Sequence, residues 1–519
     1  MYPGIFAAKH PDKIAALMAD TGDQITFAEL ESSSTRLARL LRQRGFVRGD
    51  HIALISENNL RCFEVYWAAL RSGLYITCVN RHLTPDEMAY IVNDCGAQAL
   101  IASSECATLA EAVAGQCGAL TTKLSFGGAI DGFKSYEAAL SSVSDEPLGD
   151  QPCGTDMLYS SGTTGRPKGI KPPLPDRQID DPGDLLRTVF GKIYGFDEDT
   201  VFFTPSPLYH AAPLRFGSIV QSLGGTVIAT RRFDALASLE AIERFKVTHS
   251  QWVPTMFVRM LKLPEEERNR HDLSSMKVAI HSAAPCPVTV KQAMLDWWGP
   301  IVYEFYGSTE GNGGTFISPE EWICKPGSVG RAGVGVIHIC DEDGKELPTH
   351  ERGTVYFERD ELPFRYHNDE EKTRAAIHPH HPTWTTTGDI GYLDEDGFLF
   401  LTDRKAFVII SGGVNIYPQE IENCLTLHEA VDDVAVIGVP DDEMGESVKA
   451  VVKLAPGYAA SAELEGRLIE YVKERVARYK APRSVDFVEM LPRTPTGKLA
   501  KTELKQRYRE ASTGSRAVA

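Results

Sequence analysis

Nowhere in this chain do apolar residues continue for the ~18 positions that a membrane-crossing helix needs, and the opening "MYPGIFAAKHPDKIAALMADTG" lacks the charged start and apolar core of a secretory leader. Both absences predict a cytoplasmic protein without a transmembrane segment. The ten cysteines include no C-x-x-C pair, which excludes the usual zinc spacings and gives no sign of a disulfide framework, so buried thiols are expected. Positive charge is also short. Lys and Arg number 54 against 71 Asp and Glu, a formal charge of −17, and such a balance disfavours broad nucleic-acid or anionic-membrane binding. No internal repeat or low-complexity tract is present. Anionic small molecules must therefore be met by local positive sites.

The chain of 519 residues is too long for one ordinary core, and its 43% hydrophobic and 24% charged content is that of a globular protein. Its first part alternates between the helical and strand periods of hydrophobicity, the pattern of a layered α/β architecture. "LESSSTRLARLLRQRG" reads as a helix, "HIALIS" as a strand, "CFEVYWAALRSG" as a helix stopped at Gly73, and "TPDEMAYIVNDCG" as a helix capped by Thr84. From about residue 325 short strands and turn signals take over, with a hairpin expected at Asp396-Gly397, so a β-rich subdomain follows. After Arg404 a compact α+β unit can be drawn, whose 461–476 helix carries the stripe Leu464, Leu468, Val472 and Val476.

The densest chemical signal is "YSSGTTGRPKGI" at 159–170. Glycines let backbone N–H groups converge, hydroxyls add donors and Lys168 adds a compact cation, so a polyphosphate is the natural guest. It is not a Walker A loop, because Gly165 is followed by Arg166-Pro167-Lys168 rather than by Lys and a hydroxyl residue. Five other segments are chemically suggestive, though each also has a plain structural reading. "YEFYGSTEG" places Tyr306, Ser308, Thr309 and Glu310 on one turn, where a ring can stack a purine and a carboxylate can hold Mg²⁺. "TTGD" sets Asp389 where a carboxylate can accept from a ribose diol. "TDRKAFVIISGG" puts Arg404 at a domain junction, and "PRTPTGK" presents Lys498 on a Pro/Gly turn. "PLYHAAP" exposes His210 between prolines.

In this order and spacing the segments resemble the adenylate-forming superfamily of acyl-CoA synthetases, adenylation domains and firefly luciferases, over nearly the whole chain. The resemblance implies a large N-terminal domain (1–403) of layered α/β subdomains plus a β-rich one, and a small mobile α+β lid (404–519), with ATP between them. It implies that Ser160, Ser161, Gly162, Thr163, Thr164, Gly165 and Lys168 hold phosphates. Ser282, Ala283, Ala284, Glu304, Tyr306 and Gly307 are then expected to border the nucleotide, Asp389 and Arg404 to bind ribose, and Glu310 to hold Mg²⁺. Catalytic roles are implied for Thr309 at the α-phosphate, for Glu310, His210 and Lys498, and a CoA tunnel beside Ser411, Gly412 and Gly413. The hinge falls on Lys405 and Ala406, where relatives commonly have Asp or Lys in place of the alanine.

The implied function is an AMP-forming acyl-CoA ligase, with ATP, Mg²⁺ and coenzyme A, acting on a small-molecule carboxylic acid. Amino-acid-activating relatives usually place an aspartate after the histidine motif, and "LYHAAPLRFGS" has none. "SGGVNIYPQEIE" resembles bacterial fatty-acid or aryl-acid ligases. The alternatives are a stand-alone enzyme loading a carrier protein, an oxygenating luciferase-like relative and a non-catalytic nucleotide sensor. The acyl pocket is expected at Trp252 to Met256, His210 and the residues before Tyr306; the acid itself and any homo-oligomeric state stay open.

Overall fold

The computed structural model describes residues 2–160, 167–404, 406–441, 443–493 and 499–516, with the backbone alone from 510 onward. The predicted alternation builds two parallel sheets. One has six strands, all parallel, with His51–Ile55 between Tyr75–Val79 and Ala97–Ser103. Its inner strands are buried on both faces, as parallel sheets covered by helices must be. The capping expected at Thr84 is present: its hydroxyl accepts from the N–H of Glu87, and Pro85 opens the helix Pro85–Asp94.

The second sheet has nine strands, and its middle six run parallel in the order Val302–Gly307, Val278–His281, His249–Trp252, Val201–Thr204, Thr226–Ala229 and Ile14–Met18. Four of these strands lead into "TPSP", "WVP", "HSAAP" and "YGSTE". The motifs therefore stand together at the carboxyl edge of one sheet, the side on which open α/β sheets bind ligands.

The β-rich subdomain is a five-stranded antiparallel sheet, and the hairpin at Asp396-Gly397 joins Asp389–Leu393 to Leu399–Arg404 with Gly397 at φ 77°. Arg404 ends this sheet, directly opposite Asp389. The next sheet, from Ile409–Ser411 onward, has its own core, in which Leu464, Leu468 and Val472 of the helix Ala462–Lys473 are buried with Ile421, Val436 and Val452. Seven of the ten cysteines are buried and all ten are free, as expected. Among the described residues no helix is long and apolar enough to cross a membrane.

Candidate active site

The strands that flank the glycine- and hydroxyl-rich segment pair with each other. Leu158–Ser160 pairs antiparallel with Lys168–Lys171, and Ser160 lies directly across from Lys168. Ser161 to Gly165 lie outside the described residues, as do Lys405 and Lys498. What the structure adds is the surroundings of Lys168. Its ammonium stands 5.6 Å from the centre of the Tyr366 ring, next to Lys372 of the helix Glu370–Ala375. Burial, and then the proximity of Lys372, lower its pKa to about 8. A polyphosphate would relieve that repulsion. ATP affinity is accordingly expected to be highest below pH about 8 and to fall as pH rises through that value and Lys168 loses its proton. Calorimetric titration of ATP across that range checks this, and a flat profile would contradict it.

Glu310 follows the strand Val302–Gly307 and accepts a hydrogen bond from the Tyr366 hydroxyl at 2.9 Å. Tyr366 thus ties the carboxylate to the lysine across two sheets, a link made by residues more than fifty positions apart. Thr309 lies beside Glu310 in the same turn and, like it, lines the cleft. Ala283, after the strand Val278–His281, has φ 76°, a left-handed conformation uncommon for a residue with a Cβ. Such strain persists only where the surroundings enforce it, and here it turns the chain at the cleft between buried Ser282 and exposed Ala284.

Asp389 is the centre of a second network. Its Oδ2 accepts from Tyr306 Oη at 2.7 Å and from Thr387 Oγ1 at 2.8 Å, and its Oδ1 from Arg404 Nε at 2.9 Å. Burial alone would raise the Asp389 pKa, but Arg404 and the two hydroxyls outweigh it and hold the group below the ordinary carboxylate range. It is a fixed anion beside an aromatic ring. The structure therefore brings Tyr306, Asp389 and Arg404, predicted from three separate motifs, into one hydrogen-bonded set.

Two expectations are modified. Glu304 lines the cleft, but its carboxylate is held by Lys291 at 2.7 Å in a buried ion pair, with the His281 ring, whose pKa burial holds well below the ordinary value, 3.4 Å away. Its side chain braces the floor of the site. Trp252 does not line the cleft: it is fully buried against Phe203, Phe257 and Trp298, whereas Gln251 before it and Val253 to Met256 after it do. A strand alternates its faces, so the residue before the turn points into the core. His210, at the N-cap of the helix Ala211–Ser222, lines the cleft as expected and packs edge-on against Tyr209.

Lys168, Tyr366, Glu310, Tyr306, Asp389, Arg404 and His210 all line one cleft of about 2680 Å³, several times the roughly 300–1,000 Å³ of a single-ligand pocket. Both domains line it. From the C-terminal domain come Arg493 and Leu499, on either side of 494–498, together with Lys501 and Thr502. Lys262 Nζ donates to the Val431 carbonyl at 3.1 Å, and the Gln419 N–H to Asp403 Oδ2 at 3.2 Å. Ser411, Gly412 and Gly413 are not among the cleft's lining residues. They form a tight hairpin turn with both glycines at positive φ (57° and 78°), and a Cβ on Gly412 would come within 2.5 Å of Met444 Cε. Ala406, at the expected hinge, is exposed in a turn.

Residues 5–365 match the family model described as AMP-binding enzyme, and 420–498 match the AMP-binding enzyme C-terminal domain. The chain belongs to the AMP-binding, adenylate-forming enzyme superfamily. Among curated relatives it is 31% identical over 510 residues to the long-chain-fatty-acid–CoA ligase FadD13 of Mycobacterium tuberculosis, covering 97% of each chain. It is 32% identical over 499 residues to a feruloyl-CoA synthase of an Amycolatopsis species, covering 94% of each. Among solved structures, the anthranilate CoA ligase AuaEII in complex with anthranoyl-AMP superposes with a TM-score of 0.85 at 26% identity, covering 98% of each chain. This adenylate-forming chain is thus a ligase of the acyl-CoA synthetase group. Sequence reasoning missed Tyr366, Lys372 and the helix Leu185–Tyr194, although Asp184 before an apolar-periodic run and Gly195 after it were a legible start and stop.

Proposed function

We propose that the enzyme joins a carboxylic acid to coenzyme A in two half-reactions that use opposite faces of the C-terminal domain. A carboxylate is a poor acyl donor because its leaving group would be oxide. Attack of a carboxylate oxygen on the α-phosphorus of ATP expels pyrophosphate and gives an acyl-adenylate, whose leaving group is AMP. The thiolate of CoA then attacks the carbonyl, forming the thioester and releasing AMP. Such chemistry needs positioning and charge neutralisation more than a protein nucleophile.

Within that scheme the loop from Ser160 to Lys168 holds the departing phosphates, and Tyr306 with the Ser282–Ala284 turn borders adenine. Asp389 and Arg404 hold the ribose, and Thr309 meets the α-phosphate. The residues present suit Mg²⁺: Glu310 offers a carboxylate oxygen at the cleft that Tyr366 leaves open, and such a cation takes its remaining ligands from phosphate oxygens and water. When bound, the ion offsets phosphate charge. The observation that carries the reading is the convergence on one cleft of Lys168, Glu310 and the Asp389–Arg404 pair with both flanks of 494–498. We further propose that residues 404–519 act as a lid. Arg493 and Leu499, which flank 494–498, line the cleft, and on this proposal thioester formation would require the lid to turn so that the Gly412-Gly413 hairpin reaches it.

Incubating the enzyme with ATP, Mg²⁺, CoA and a panel of fatty and aryl acids is expected to yield AMP, pyrophosphate and acyl-CoA in equal amounts. Formation of ADP would overturn the proposal, and adenylate formation with transfer only to a carrier protein would replace CoA as the acceptor.

A further inference from the structure

One wall of the cleft carries a buried cation for which the reaction above has no use. Arg187, in the first turn of the helix Leu185–Tyr194, is 8% exposed and lines the cleft. Its Nε has no hydrogen-bond partner, and its guanidinium makes no side-chain hydrogen bond or close ion pair among the described residues. The nearby carboxylates are taken. Asp184 caps the helix through the Arg187 N–H at 2.9 Å and gives its other oxygen to Arg177 at 3.0 Å. Asp156 is held by Arg215 through Nε at 3.1 Å and Nη2 at 2.7 Å, with Tyr66 Oη at 3.4 Å. Three guanidinium groups thus share two carboxylates, and the charge left over is on Arg187.

A guanidinium removed from water without partners is costly, and burial lowers the Arg187 pKa accordingly. Its planar fork is matched by a carboxylate, which can accept two parallel hydrogen bonds from it. One turn further along the helix Phe190 stacks on Phe216, with ring centres 5.0 Å apart, and meets Phe305 at 5.7 Å. Phe305 immediately precedes Tyr306, so this aromatic wall runs from the arginine to the nucleotide motif. Arg215, beside Phe216, lies close enough to Glu310 to feel its charge.

We propose that Arg187 anchors a second carboxylate on the acid being activated, so that the substrate class is a diacid whose body lies along the Phe190–Phe216–Phe305 wall. This rests on the acyl-CoA ligase reading. Only the carboxylate at the nucleotide end reacts; the distal one is bound and unchanged.

The test compares short aliphatic and aryl diacids with their half-methyl esters, which keep shape but remove the distal charge, by AMP release in the presence of CoA. Diacids are expected to exceed half-esters in kcat/KM by roughly a hundredfold, the usual discrimination for a charge-assisted pair. Arg187→Met should cut kcat/KM for diacids roughly a hundredfold and raise it for half-esters, reversing the preference; Arg187→Lys should retain part of the diacid preference. A wild-type enzyme that releases AMP equally well with half-esters or monoacids would overturn the diacid assignment while leaving the ligase reading intact. So would an Arg187→Met variant with equal losses on both series. If the Met variant does not fold, the wild-type comparison and Arg187→Lys still decide. AMP release with no acid of any kind would instead sink the ligase reading itself.

Discussion

Replacing Lys498 by alanine is expected to slow acyl-adenylate formation by roughly two to three powers of ten, because removing a cation aimed at developing charge in a dry site costs ~3–4 kcal/mol. Arg493 and Leu499, on either side of residues 494–498, line the cleft, whereas the Gly412-Gly413 hairpin does not. On the proposed reading the lysine belongs to the first half-reaction alone. Given pre-made acyl-AMP and CoA, the variant should form thioester at nearly the wild-type rate. Single-turnover measurements of the two steps check this separation, and equal losses in both would show that the lid assignment is wrong.

The largest expected effect on stability is at Lys291. This lysine and Glu304 are both buried, 2.7 Å apart, and the carboxylate sits on the same strand as Tyr306. Lys291→Met leaves Glu304 as a buried charge without its partner, at a cost of about 3–5 kcal/mol. Loss of activity and a lower melting temperature should appear together. Burial already raises the Glu304 pKa despite Lys291, and without the lysine it must rise further. A carboxyl whose folded pKa lies above its unfolded value binds more protons when folded, so the variant should regain stability as pH falls toward the acid range. Lys291→Met with Glu304→Leu should recover much of the loss at neutral pH. Thermal melts of the three proteins check both points, and a single variant as stable as wild type would show that the pair contributes little.

The fold was legible wherever the signal is local. The alternation of periods placed the parallel strands, Thr84 marked a helix start, and Asp396-Gly397 marked a hairpin that the structure contains. The site was legible as separate motifs because each occupies one turn at the end of one strand. Their connections were not. Tyr366 and Glu310 meet across sheets, Arg215 and Asp156 across domain layers, and no spacing in sequence signals a partner so far away. Trp252 fell to the same cause, since it lies next to a motif but packs into the core, and the engagement of Glu304 by Lys291 from below was equally invisible. Arg187 was overlooked because its helix begins beyond a proline-rich stretch that reads as loop, and its lack of a partner is visible only in three dimensions.

The acyl-adenylate is the claim on which the rest depends, and oxygen transfer tests it most directly. With the carboxylate of the substrate labelled with ¹⁸O, one turnover with ATP and CoA should place one labelled oxygen in the phosphate of AMP and none in pyrophosphate. Label in inorganic phosphate, or unlabelled AMP, would contradict attack of the carboxylate on the α-phosphorus.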